Sequence, residues 1–270
     1  MVRYAGGKKK IAKHVCDAIQ LLEQKLGQQN NDYLEPFVGF GAVAIELMKR
    51  EIIGDLPNRN YYLTELNPDI VAFWKGLKGN WEPPKQVTLE LYNKIYSERS
   101  KQSKPNALTA YVGNAFSFNG TFFGGFRGKY QSQEITARES ESSYKEVMNM
   151  KAIIKYCNVD ILKPQSYFDL DLDKISKGKA LTIYCDPPYK SSLKKMNNKF
   201  FSSFDVEQFW ETMRKWSKKH LVIISEDMET IPEDFERIWK KEVYRSVSLP
   251  NQRQYKTESL FVHNSWLLKD

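Results

Sequence analysis

The chain is poor in the residues that staple small proteins or bind metals. Its 270 residues hold three scattered cysteines, Cys16, Cys157 and Cys185, and three histidines, His14, His220 and His263. No disulfide framework and no metal-ligand spacing can be assembled from them, so the expectation is buried free thiols and no metal site. Long apolar runs are also missing. Nothing approaches the roughly 18 to 20 residues that span a bilayer, and Met1 to Lys13 lacks the apolar core of a secretory signal. An intracellular protein with no membrane partner is expected, and in that setting the Asn119-Gly120-Thr121 sequon carries no meaning. Internal repeats and low-complexity tracts are absent too, which excludes solenoids and compositionally biased tails.

What is present suits a folded enzyme or binding protein. With 41% hydrophobic residues and 13% aromatics, the chain can bury the core of one large or two small domains. A formal charge of +8 and a pI near 9.1 favour a polyanionic partner, although a solvated basic surface would give the same numbers. The excess is concentrated in two places: residues 75–151 carry 12 Lys and Arg against 7 acids, and residues 190–219 carry 8 against 3. Such clustering fits a nucleic-acid footprint.

The order of elements reads as α/β. Apolar residues recur with helical spacing from Ile11 to Leu26 and stop at Gly27, followed by a strand from Tyr33 to Val38. Gly39-Phe40-Gly41 breaks into a helix over Ala42 to Glu51, and a second strand spans Tyr61 to Leu66, with a helix starting near Pro68. Pro83-Pro84 and the polar stretch Ser97 to Asn106 mark a boundary, and few long periodic runs are evident from there to Met150. Strand patterning returns at Ile153 to Ile161, Leu181 to Cys185 and Leu221 to Ser225, with a helix over Val206 to Lys219. Arg237 to Leu249 and Ser259 to Leu267 suggest a closing antiparallel pair. Together these predict a Rossmann-like, mostly parallel α/β sheet. The α/β domain comprises residues 1–74 and 151–270, and residues 75–150 form an insertion.

The chemistry is concentrated at strand ends. Asp186-Pro187-Pro188-Tyr189 follows the apolar run Leu181 to Cys185, at the carboxyl edge where open α/β sheets keep ligand sites. The lone pair of an exocyclic amine on a heterocycle is delocalised into the ring and must be localised before it attacks a methyl sulfonium. The Asp186 carboxylate and the Pro187 carbonyl can accept from such an amine, and consecutive prolines fix the carbonyl's direction. Tyr189 offers a π-face for a base drawn out of its duplex. Glu35-Pro36-Phe37-Val38-Gly39-Phe40-Gly41 places glycines at the first strand-to-helix turn, where backbone can approach a ligand. Glu65 lies 24 residues past Gly41 at the tip of strand two, where nucleoside-binding folds hold ribose hydroxyls. Asp160 is a third strand-end acid, with Ile161 beside it as an apolar contact.

With these residues in view, the chain resembles the Dam-like, alpha-group family of adenine-N6-specific DNA methyltransferases. Tyr4-Ala5-Gly6-Gly7-Lys8 is similar to the family's aromatic-x-Gly-Gly-Lys motif, Glu35 to Gly41 to its Pro-Phe-x-Gly-x-Gly loop, and Thr64-Glu65-Leu66-Asn67 to its acid-x-Asn strand end. Asn158-Val159-Asp160-Ile161 is similar to its adenosine contact, and Asp186 to Tyr189 to its catalytic motif, all in the family's order. The resemblance implies a class I S-adenosylmethionine-dependent fold, S-adenosylhomocysteine as product, a double-stranded DNA partner, and a monomer or weak dimer. It implies that Tyr4, Ala5, Gly6 and Lys8 contact the cofactor, with Tyr4 and Lys8 at its methionine part. Phe37, Gly39 and Gly41 shape the pocket, Glu65 holds the ribose, Asp160 and Ile161 bracket the adenine, and Asp186 reaches both cofactor and target. Asp186, Pro187, Pro188 and Tyr189 form the catalytic set. Phe118-Asn119-Gly120 is similar to a DNA-recognition element but continues Thr121-Phe122-Phe123, where GATC-specific relatives are expected to carry a basic residue. Asn119 and Gly120, with Arg127 and Lys129 as the nearest cations, are therefore the DNA candidates. Lys256-Thr257-Glu258-Ser259-Leu260 resembles a weaker terminal motif to which no role is assigned. Two alternatives stay open: a methyltransferase for RNA or a protein amide, and a catalytically silent DNA-binding relative.

Overall fold

Every residue of β4 (Leu181–Cys185) and of β5 (Leu221–Glu226) is buried, because each strand has a helical layer on both faces. Side chains alternate between the two layers. Leu181, Ile183, Cys185, Val222 and Ile224 face one hydrophobic cluster, while Tyr184, Leu221 and Ile223 face the other. The computed structural model describes residues 4, 6–189, 204–227, 231–245 and 254–268, with only the backbone described at 129, 130, 244, 245 and 254.

Among the described residues there is one seven-stranded sheet, ordered β3-β2-β1-β4-β5-β7-β6. Its other strands are β1 (Asp32–Glu35), β2 (Asn60–Leu63), β3 (Asn158–Ile161), β6 (Phe235–Arg245) and β7 (Gln254–His263). The pairs β1–β2, β1–β4, β2–β3 and β4–β5 are parallel, and β7 runs antiparallel between β5 and β6. This is the mostly parallel α/β architecture expected, with the closing antiparallel pair in place.

Among the described residues the helices are α1 (Ala12–Lys25), α2 (Ala42–Ile52), α3 (Pro68–Lys78), α4 (Leu89–Glu98), α5 (Ala107–Ala115), α6 (Gln133–Ile154), α7 (Leu172–Ser176) and α8 (Val206–Ser217). Local chemistry sets their starts. Asn67 caps α3 by accepting from Asp69 N at 3.0 Å with Pro68 at the first position, and Asp205 caps α8 by accepting from Glu207 N at 2.9 Å. Phe209, Trp210, Met213 and Trp216 give α8 its buried stripe.

Two expectations are corrected. The segment before Met150 is richly helical, and α6 alone spans 22 residues. Its buried face includes Ser140 and Ser143, which hides the apolar period, while α5 is buried on nearly all sides and has no polar face to reveal one. The apparent strand from Ile153 is in fact the end of α6, and β3 starts only at Asn158, because a short apolar run fits either period. Helices of the 75–150 segment share a core with the sheet: Tyr92, Tyr111, Val112 and Val147 lie in one cluster with Tyr33, Leu47 and Trp74.

A buried ion pair ties the sheet to α1. Arg59 donates to Glu23 at 2.8 and 3.1 Å, and Thr182 on β4 adds a third donor at 2.6 Å. Cys16, Cys157 and Cys185 are buried free thiols, as expected.

Candidate active site

The chain leaves β1 toward α2, on the side of the cluster that holds Tyr184 and Ile223, while α8, which precedes β5, packs against the cluster that holds Leu181 and Ile183. Adjacent parallel strands whose connections diverge open a crevice at their carboxyl ends. Glu35 ends β1 and Asp186 directly follows β4, so both stand at this switch point.

The N-terminal segment crosses the crevice and joins its walls. Lys8, only 5% exposed, donates to Asp186 Oδ1 at 2.6 Å and to the Gly6 carbonyl at 3.3 Å. The Tyr4 ring lies on Gly39, where an added Cβ would meet Tyr4 Cε1 at 2.5 Å. Gly39 and Gly41 adopt φ of +47° and +61°, a left-handed conformation that suits glycine. Gly41 also makes room for Trp74, whose Nε1 donates to the Gly39 carbonyl at 2.8 Å. Glu65 secures the same turn by accepting from Gly39 N at 3.2 Å and Leu66 N at 2.8 Å.

Four neighbouring parallel strands thus end in acids: Glu65 beyond β2, Glu35 on β1 and Glu226 on β5 are buried, and Asp186 beyond β4 is half-buried. Burial pushes the Glu35 carboxyl up to about 8, although bonds from Tyr33 and Ala44 oppose the rise. Burial likewise raises Glu65 to about 7 and Glu226 to about 8, each opposed by backbone N–H donors. Asp186 is raised by burial and held back by the Lys8 charge. Lys8 itself lies above its usual range, because Asp186 and Glu258 together outweigh its desolvation. A pocket of this kind favours cations.

Tyr189 is buried and its hydroxyl is pinned. It donates to Glu258 Oε2 at 2.6 Å and lies 2.9 Å from Ser225 Oγ. The ammonium groups of Lys8 and Lys256 lie over its ring, 4.5 and 3.8 Å from the centroid.

With this geometry in place, the comparisons are decisive on one point. The family model of the D12 class N6 adenine-specific DNA methyltransferases matches residues 4–254. The chain belongs to this family. It is an adenine-specific DNA methyltransferase, which moves a methyl group from a donor to N6 of adenine. No curated protein sequence matches it. Two solved structures of the rRNA methyltransferase aviRa from Streptomyces viridochromogenes are distantly similar, each at 11% identity. One covers 95% of this chain and 86% of that chain at a TM-score of 0.43, and the other 93% and 86% at 0.40.

The remaining expected residues of the methyltransferase are more scattered. Ala5 lies outside the described residues. Phe37 joins an aromatic group with Tyr167, Phe204 and Phe209 at centroid distances of 5.3, 6.4 and 6.2 Å, on the α8 side. Asp160 is exposed opposite Tyr62, and Ile161 packs on the other cluster opposite Leu63, so consecutive residues face opposite layers. Pro187 is buried and Pro188 half-buried.

In the 75–150 segment, exposed Asn119 adopts a φ of +53°. Gly120 seats against the Tyr4 backbone, where an added Cβ would come within 2.6 Å of Tyr4 N. Arg127 is buried, with Nε 3.1 Å from Glu139 Oε2 and its guanidinium over Phe116, so it faces the protein interior. The side chain of Lys129 lies outside the described residues. Sequence reading overlooked Lys256, Glu258 and Ser225 at the site. The Lys-x-Glu of the terminal motif was their one signal.

Proposed function

We propose that the methyl donor is S-adenosylmethionine, that the substrate is duplex DNA, and that the target adenine is drawn out of the helix to Asp186 and Tyr189. The observation that carries this is the Lys8–Asp186 contact at 2.6 Å, which fastens the glycine-loop side of the crevice to the tetrapeptide side. Donor and target would then meet at one carboxylate.

The residues suit such a donor. When bound it supplies a methyl group made electrophilic by a sulfonium centre, and a cation among Glu35, Glu65 and Asp186 would offset the cost of ionising buried acids. Tyr4 and the glycine turn would line its pocket. Glu65 would turn Oε2 from the long Gly39 bond to ribose hydroxyls.

Asp186 uses Oδ1 for Lys8, which leaves Oδ2 to accept from the adenine amine beside the Pro187 carbonyl. Two acceptors would localise the nitrogen lone pair as it bonds the methyl carbon; the carbon–sulfur bond of the donor would break with its electron pair left on sulfur, and the amine proton would pass by way of the Asp186 carboxylate to solvent. Tyr189 supplies the stacking face. We assign the exposed Asn119 turn and the basic 75–150 segment to the DNA side, with residues 75–150 as the target-recognition part and 1–74 with 151–270 as the catalytic part.

The test is transfer of label from S-adenosylmethionine to unmethylated duplex DNA. N6-methyladenine should form, and Asp186→Ala should reduce transfer by at least about 1000-fold. Labelling confined to RNA, or full activity in Asp186→Ala, would overturn the proposal.

A further inference from the structure

The Lys256 to Leu260 segment takes a role from its place in the sheet. β7 runs antiparallel along β5, with Glu226 opposite Ser259 and Ser225 opposite Leu260, which brings Glu258 to the carboxyl end of β5 beside the crevice. There one carboxylate meets three groups of the site. Its Oε2 accepts from the Tyr189 hydroxyl at 2.6 Å and lies 3.5 Å from Lys8 Nζ, and its Oε1 lies 3.4 Å from Lys256 Nζ. Lys256 is held in turn by Asp227 Oδ2 at 3.1 Å and stands over the Tyr189 ring.

We infer that Glu258 is a positioning residue for the methyl transfer, acting through Tyr189. The inference rests on Tyr189 being the surface that receives the target adenine. Asp186-Pro187-Pro188 alone leaves the Tyr189 ring at the end of a loop, with its tilt unset. Its hydroxyl donates to Glu258 and pairs with the Ser225 hydroxyl, which fixes the far end of the ring to two strands, so the stacking face is in place before a base arrives. The contact with Lys8 links the same carboxylate to Asp186, and the two groups meeting the adenine are thereby set relative to each other. A target amine displaced by about 1 Å loses on the order of 100-fold in rate.

A double-mutant cycle on the full chain tests this, using Glu258→Ala, Glu258→Gln, Tyr189→Phe, Tyr189→Ala and the Glu258→Ala/Tyr189→Phe pair. Steady-state methylation of unmethylated duplex DNA supplies kcat and KM, and calorimetric binding of S-adenosylmethionine reports an intact fold. Glu258→Ala should lower kcat between about 10- and 100-fold with donor affinity unchanged, and should add less than about threefold on the Tyr189→Phe background. Glu258→Gln, which keeps an acceptor for Tyr189, should recover kcat to within about fivefold of wild type, and it keeps the test alive should Glu258→Ala fail to fold. Multiplying effects of the two single variants, a rise in KM with kcat intact, or Glu258→Gln as poor as Glu258→Ala would overturn the inference. Wild-type kcat in Tyr189→Ala would instead remove the role of Tyr189 itself, and the inference with it.

Discussion

Replacing Glu35 by Gln should stabilise this protein at neutral pH, although it alters a fully enclosed acid. The Glu35 carboxyl is pushed from 4.5 up to about 8 by burial. Its folded pKa is therefore raised, so its contribution to stability is complete below pH 4.5 and is lost as pH rises toward 8. At pH 7 the unfolded chain ionises this group and the folded chain keeps it protonated. At about 1.4 kcal/mol per pH unit, roughly 3 kcal/mol has been lost by then. Gln is neutral in both states and incurs no such loss. Its amide oxygen keeps the bonds from Tyr33 at 2.8 Å and Ala44 at 3.1 Å, while the added N–H costs about 1 kcal/mol if it finds no partner. A net gain of about 2 kcal/mol is expected at pH 7, shrinking to a loss of about 1 kcal/mol near pH 4.5. Urea unfolding at several pH values between 4.5 and 8.5 measures it, read as midpoint times slope. Glu65 and Glu226 are raised in the same way, so wild-type stability should fall across this window by more than one proton's worth, and Glu35→Gln should remove about one proton from the slope. An unchanged slope, or a destabilised variant at pH 7, would refute the reasoning. The same substitution should weaken binding of a cationic donor, trading function for stability.

Two further outcomes follow from burial and backbone geometry. Arg59→Leu strands Glu23 without its bidentate partner and should cost about 3 to 5 kcal/mol, measured by chemical unfolding. Gly41→Ala combines a φ of +61° with a Cβ only 2.3 Å from Trp74 Cζ2, so it should cost on the order of 3 kcal/mol and loosen the glycine turn, read as lower melting temperature together with weaker donor binding.

Much of the site could be read from local pattern. Asp186 and Glu65 were legible because each follows a strand whose apolar run identifies it, at the edge where such sheets keep ligands. The glycine turn was found because left-handed backbone leaves a residue-type mark. Arg127 was singled out as a DNA contact, to a base or a phosphate, because only its charge was visible. Its burial against Glu139 and Phe116 depends on α6, whose buried serines concealed the helix. Phe37, placed in the donor pocket by motif, packs among the aromatics of the α8 side.

The sequence by itself determined the order of the strands, the acid-Pro-Pro-Tyr edge after β4 and the family, because these are carried by neighbouring residues and short periods. Tertiary structure alone decided which charges meet. Lys8 reaches Asp186 across 178 residues, and Glu258 reaches Tyr189 across 69, because β7 is inserted beside β5. It also decided the protonation of Glu35, Glu65 and Glu226, since the desolvation that raises a carboxyl's pKa is a property of everything packed around it.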